Sequence, residues 1–198
     1  MQIKFGLLIL CCILLVACLC PKERADEDFF MITPFVNMSD MGPIMEAFSV
    51  DANCPWRFEH GGVDFFSVSA LAPFQAVCPG EIINVDLFAN EHSGNWQVNV
   101  SLEYNSTFSV EYAFEPMTNQ SADGQIQLNN IFVSRGQDVQ QGDLIGNLFF
   151  GANGTHVHFG VRENGNDICP ELYFTASARD SIMQLIHLQW PGGIMCYE

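Results

Sequence analysis

His156 and His158 are one residue apart in the run Gly154-Thr155-His156-Val157-His158-Phe159-Gly160-Val161-Arg162. Val157, Phe159 and Val161 alternate with them, the pattern of a strand with one apolar face. Residues i and i+2 of a strand project to the same side, so the two imidazoles face one place and Val157 and Phe159 face the core. Two imidazoles so placed can share a metal, or one can ligate while the other moves protons. Alone, a His-x-His pair is a weak motif and needs partners.

His60-Gly61-Gly62-Val63-Asp64 offers them. The two glycines let the backbone turn sharply, so an imidazole and a carboxylate four residues apart can converge without a helix. A catalytic zinc site commonly uses three protein N/O ligands and keeps a fourth position open. His60, Asp64 and one strand histidine supply such a set. The other histidine is left as a general base or an oxyanion stabiliser. The plain alternative is a loop histidine and a turn-capping aspartate.

The elements that must position these groups read as β structure. Candidate strands are 63–67, 73–77, 81–89, 96–104, 107–114, 125–133, 144–150 and 156–162, separated by Gly, Asn, Asp and Pro clusters. This spacing predicts an all-β fold, a mainly antiparallel sandwich or half-open barrel. Asn105-Ser106 reads as a hairpin turn. One helix is expected, over 177–190 at the C-terminal end, where Ile182, Leu185, Ile186 and Trp190 share a face and Pro191-Gly192-Gly193 stops it. Residues 29–59 show no clear period and are expected to wrap the domain irregularly. The run 136–146 has the spacing G-x-x-V-x-x-G-x-x-I-G, which suits tight turns between short strands.

Taken together these segments resemble the lysostaphin-type, or LytM-like, zinc endopeptidases of bacterial cell walls. The resemblance covers residues 60–174. It rests on His60-Gly-Gly-Val-Asp64-Phe65, Pro73 to Gly80, Gly94 to Val98, the 136–146 run, Thr155-His156-Val157-His158-Phe159 and Cys169 to Phe174. It implies His60, Asp64 and His158 as zinc ligands, and His156 as the catalytic histidine that helps activate water or holds the tetrahedral intermediate. The implied substrates are the peptide stems and cross-bridges of peptidoglycan. Family members usually carry a further catalytic histidine as Tyr-x-His, where this chain reads Tyr112-Ala113-Phe114. Phenylalanine neither donates nor accepts a proton, so a second reading stands beside the first: a zinc-binding module that hydrolyses little and binds wall fragments or regulates another hydrolase. Restoring a histidine at position 114 is expected to raise activity. His92, in the loop after strand 81–89, is a possible substitute, and His187 is expected to be structural.

Residues 1–17 read as a signal sequence, with Lys4 ahead of an apolar run from Phe5 to Ala17 that is short for a membrane span. Leu15-Val16-Ala17-Cys18 resembles a lipobox, which implies acylation of Cys18 and a lipoprotein held in the cell envelope. An ordinary secretory signal is the alternative. Residues 18–28 form a polar tether. Without residues 1–17, six Lys and Arg face 23 Asp and Glu, a net charge of −17, which argues against nucleic acid as a partner and not against a divalent cation. The domain is expected to be a monomer. Outside the cytoplasm Cys54, Cys78, Cys169 and Cys196 are disulfide candidates, with three connectivities open. Five Asn-x-Ser/Thr sequons, at Asn37, Asn99, Asn105, Asn119 and Asn153, would take glycans in a eukaryotic host and are polar surface in a bacterial one.

Overall fold

The computed structural model describes residues 30–198; the expected signal, the Cys18 lipidation site and the tether lie outside the described residues. In chain order the elements are β1 (Phe48–Ser49), β2 (Val63–Phe66), β3 (Leu71–Gln75), β4 (Gly80–Ala89), β5 (Trp96–Glu103), β6 (Phe108–Glu115), α1 (Ser121–Asn129), β7 (Asp138–Val139), β8 (Leu144–Phe149), β9 (His156–Glu163), β10 (Asn166–Ile168), α2 (Ala176–Gln189) and β11 (Cys196–Tyr197).

The main sheet has seven antiparallel strands in the order β10-β9-β6-β5-β4-β7, with β2 also paired to β9. Period-two alternation divides it cleanly into two faces. Val98, Val100 and Leu102 of β5, Val110, Tyr112 and Phe114 of β6, and Val157, Phe159 and Val161 of β9 are fully buried on one side. The two-stranded β3–β8 sheet (Phe74, Ile145, Leu148), α2 (Ile182, Leu185, Ile186) and the N-terminal wrap (Met31, Phe35, Ile44) complete that core. Gln97, Asn99, Glu111, Ala113, Glu115, His156 and His158 are left on the other face.

Residues 125–133 are not a strand: they begin as helix α1 and end in a loop. The alternation of Ile126 and Leu128 is overridden by tertiary contacts. A Cβ on Gly124 would stand 2.7 Å from the Cβ of Trp96, so glycine lets the helix lie directly on β5. The buried Gln127 donates from Nε2 to Asn147 O at 2.9 Å and accepts from Phe149 N–H at 2.8 Å, completing backbone groups of β8. The described chain therefore has two α-helices, not only the C-terminal one. That one, α2, is capped by the Thr175 side chain, which accepts from Ala178 N–H.

The cysteines divide. Cys169 and Cys196 form a disulfide, while Cys54 and Cys78 are buried thiols and not a second bridge. Cys78 is part of the main core, two residues ahead of the start of β4. Cys54 Sγ donates instead to backbone carbonyls of its own loop, Phe58 O at 3.3 Å among them.

Candidate metal centre

β9 is the strand that assembles the site. It runs between β6 and β2, in a register that sets Asp64 opposite His158 and Phe66 opposite His156 on one edge, and Ala113 opposite His158 and Glu115 opposite His156 on the other. Side chains directly opposite in a sheet share a face, so these six residues are gathered by backbone pairing alone.

His60 reaches the cluster from the loop before β2. Its N–H and C=O bridge to Ser49 of β1, both at 2.9 Å. Gly62 makes the approach possible: a Cβ there would collide with the Phe159 carbonyl and lie 2.9 Å from the His158 ring. The His60 Nδ1–H donates to Ala47 O at 2.9 Å, which orients Nε2 toward Asp64. A metal-binding histidine is usually fixed in this way through its other nitrogen.

Three donor atoms meet there. His158 Nδ1 lies 2.8 Å from Asp64 Oδ1 and 3.1 Å from His60 Nε2, and His60 Nε2 lies 3.2 Å from the same carboxylate oxygen. A tetrahedral zinc with bonds of 2.0–2.1 Å places its donors about 3.3 Å apart. The triangle of two nitrogens and one oxygen thus fits zinc in size and in chemistry. His60, Asp64 and His158 also form the three-residue group whose ligand atoms converge within 4.8 Å. A second such group, Cys169, Glu171 and Cys196, has its sulfurs joined to each other.

His156 stands beside the triangle without joining it. Its Nδ1–H donates to Gly154 O at 2.7 Å, which turns Nε2 toward Asp64 Oδ2 at 3.6 Å and Glu115 Oε2 at 3.9 Å. Burial works to raise the Asp64 carboxyl, but the facing His156, His158 and His60 outweigh it and hold it well below the usual carboxylate range. Burial also disfavours charge on His60, yet its hydrogen bond and attraction to Asp64 push it up to about 9. Glu115 is raised, first by burial. Glu46, from the wrap, is raised by burial and by the neighbouring Asp64.

Phe114 is a correction. It is fully buried on the core face, 5.6 Å ring to ring from Phe74, and pairs with Val157 rather than with a histidine. Tyr112 lies on the same face, where its hydroxyl donates to Gln75 O and accepts from Val77 N–H. Position 114 therefore has no access to the metal cluster, and the residue of β6 that faces His156 is Glu115. Glu115 was missed, although the alternation of Glu111, Ala113 and Glu115 with Val110, Tyr112 and Phe114 is visible in the sequence. Glu46 carries no local signal, since only folding of the wrap brings it near Asp64. His92 lies in an exposed turn, where its N–H donates to Asn90, and is not in the cluster. His187 donates from Nε2 to Gly193 O at 3.0 Å and ties α2 to the turn that follows it.

Beside the site the sheet face forms a polar cleft of about 170 Å³, lined by Gln97, Asn99, Glu111, Glu115, Arg162 and Asp167. Arg162 bonds Asp167 at 2.8 Å and Glu111 at 3.4 Å, and Glu111 accepts from Ser101 at 2.8 Å.

No family model matches the sequence, and no curated protein sequence does. Solved structures do. Csd3 of Helicobacter pylori matches over 81% of this chain and 40% of that one, with a TM-score of 0.51 and 22% identity. A zinc-containing peptidase from Vibrio cholerae matches over 70% of this chain and 38% of that one, with a TM-score of 0.48 and 21% identity. For the antimicrobial peptidase lysostaphin from Staphylococcus simulans the shares are 81% and 57%, the TM-score 0.47 and the identity 17%. The chain thus spans less than two thirds of the length of each. What the likeness to Csd3 shows is the fold: this chain shares its mainly antiparallel all-β architecture.

Proposed function

We propose that this protein is a zinc-dependent endopeptidase of the cell envelope that cleaves peptide stems or cross-bridges of peptidoglycan. One observation carries the reading: His60 Nε2, Asp64 Oδ1 and His158 Nδ1 converge at 2.8–3.2 Å on one face of the sheet, with His156 beside them. A bound zinc would supply Lewis acidity and lower the pKa of its water to about 7. The chain supplies the rest. His156 Nε2 is a proton acceptor held in place by the Gly154 carbonyl, and Glu115 stands within reach of the same imidazole. Gln97, Asn99 and Arg162 offer donors along the cleft where a peptide backbone would lie.

The second reading, an impaired zinc module that binds wall fragments, is favoured by one feature: β6 presents Ala113 and Glu115 to the site and no imidazole. Incubation of the purified chain with peptidoglycan sacculi separates the two. Release of muropeptides that a chelator abolishes is expected. No release from any of several wall types, by protein shown to hold zinc, would leave the module.

The envelope location rests on the Leu15-Val16-Ala17-Cys18 run and its resemblance to a lipobox. Cys18→Ala is expected to move the protein from the membrane fraction to the soluble one; unchanged membrane association would reject acylation as the anchor.

A further inference from the structure

The polar cleft of about 170 Å³ begins at the metal cluster, because the His158 ring is part of its wall. Its floor is nearly bare. Gly160 of β9 and Ala113 of β6 both line it, and a Cβ on Gly160 would stand 4.0 Å from His158 Nε2 and from the Glu111 Cβ. Backbone pairing sets Glu111 opposite Gly160, and Glu115 opposite His156. The two carboxyls therefore flank Ala113 on the same strand, and Asp167 brings a third from β10.

Three carboxyls in this cleft meet one guanidinium. Arg162 divides its charge between two of them, Asp167 Oδ1 at 2.8 Å and Glu111 Oε1 at 3.4 Å. Glu115 receives none of it. Its side chain is only 20% exposed, its Oε2 has His156 at 3.9 Å, and no hydrogen bond reaches the carboxyl among the described residues. Such a group lacks the donors that would offset its lost hydration. Burial raises both glutamate carboxyls, on Glu111 against the Ser101 hydrogen bond and Arg162, and on Glu115 against His156. The cleft is short of positive charge. Nor do its carboxyls form a metal cage: none is among the described residues whose donor atoms converge within 4.8 Å of one another on three sides. Spread along a cleft, they fit a cation with several N–H donors at the end of an alkyl arm.

We propose that this cleft is the subsite for a primary ammonium group of the substrate, with Glu111, Glu115 and Asp167 as its counter-charges. The inference rests on the peptide-cleaving reading and narrows it: the residue beside the scissile bond carries a free amine, a group that peptidoglycan stems present on their diamino acids and bridges at their free ends. Gly160 is two residues along β9 from His158, about 6.6 Å of strand. A group held opposite it, at Glu111, belongs to the residue next to the bond held at the cluster. The bare floor at Gly160 and Ala113 leaves room for the arm that carries the amine.

The test reads binding, not turnover. Three forms of lysyl-D-alanyl-D-alanine are titrated into the full chain by NMR: one acetylated on the α-amine, one on the side-chain amine and one on both. The chain is used metal-free, where no bond is cut, and then zinc-loaded. A form with one free amine is expected to bind about tenfold or more tighter than the doubly acetylated one. The tighter of the two says whether the amine comes from a side chain or a chain end. Glu111→Gln and Asp167→Asn should each bring the forms to near-equal affinity with zinc content unchanged. Equal affinity of the parental chain for all three, binding of none, or a preference that both variants keep overturns the proposal. Calcium or a second zinc taken up by the parental chain and lost in Glu111→Gln would make the cleft an ion site and overturn it as well. A chain that releases nothing from sacculi fails the peptidase reading, while the titrations still decide the ammonium subsite.

Discussion

Glu115 stands directly across from His156 in the β6–β9 pair, with Oε2 3.9 Å from Nε2, and the residue before it, Phe114, points to the opposite face. The polar group that β6 brings to the cluster is therefore a carboxyl beside an imidazole. A histidine restored one position earlier would face the core.

Phe114→His should not create activity. It replaces a fully buried ring against Phe74 with a polar one that finds no partner in an apolar core. The cost is roughly 3 kcal/mol, combining lost packing with an unpaired polar group. Urea unfolding should show that loss. Ala113→His, on the face of His158, should be tolerated far better; a gain of sacculus hydrolysis from Phe114→His would refute the register.

Glu115→Gln keeps the shape of the side chain and removes its charge. Zinc content should be unchanged, because Glu115 is not among the three converging donors. Muropeptide release should fall by about 10²-fold, the typical loss for a proton-transferring group. The pH profile should change too, since burial raises the Glu115 carboxyl toward the working range. Parental rates and an unaltered profile would remove Glu115 from the chemistry.

Metal analysis should find close to one zinc per chain. His60→Ala, Asp64→Ala and His158→Ala should each abolish it, and His156→Ala should not. Full retention in Asp64→Ala and His158→Ala would sink the site.

Zinc uptake should release a proton. In the metal-free site His60 is pushed up to about 9, so at pH 7.5 it is charged and must deprotonate to ligate. About one proton per zinc is expected, with affinity rising about tenfold per pH unit up to pH 9. Calorimetry in buffers of different ionisation enthalpy measures it, and a heat independent of buffer would contradict it. The same shift fixes the stability of the metal-free chain. The folded pKa of His60 lies above its ordinary 6.5, so its contribution is complete below that value and fades as pH rises through about 9. Asp64 is depressed below its ordinary 3.8, so its contribution is complete above that value and is lost on acidification.

The Cys169–Cys196 bridge closes 27 residues and ties β11 to the segment after β10. Replacing both cysteines with serine should cost about 2–4 kcal/mol in thermal or urea unfolding. It should also weaken zinc binding, because β11 pairs with β1 and β1 holds the backbone of His60. Unchanged metal affinity would show that β1 keeps its place without the tail.

The two faces of β9 were legible in the sequence because alternation is a local property of a strand. The pairing of β2 with β9 was not, since Asp64 and His158 meet across 94 positions and nothing local encodes that register. Phe114 shows the opposite case. Its apolar alternation with Val110 and Tyr112 puts it on the core face, against the place that the Tyr-x-His spacing of the resemblance implies. α1 depended on Gly124 against Trp96 and Gln127 against β8, contacts that no periodicity announces. The cysteine pairing needed distances, because four cysteines look alike in a sequence.

The centre is built from parts of unequal permanence. β9 is hydrogen-bonded along both edges, to β6 on one side and to β2 and β10 on the other, so its amides can exchange with solvent only when the sheet itself comes apart. The His60 backbone is held by one bridge to the two-residue strand β1, and its ring by the Ala47 carbonyl just ahead of that strand. A local opening of that flap would remove one ligand and leave the other two standing. Metal release would then track the small free energy of the flap rather than that of the fold, and amide exchange at Ser49 and His60 should report it, faster by orders of magnitude than exchange at Val157 and Phe159.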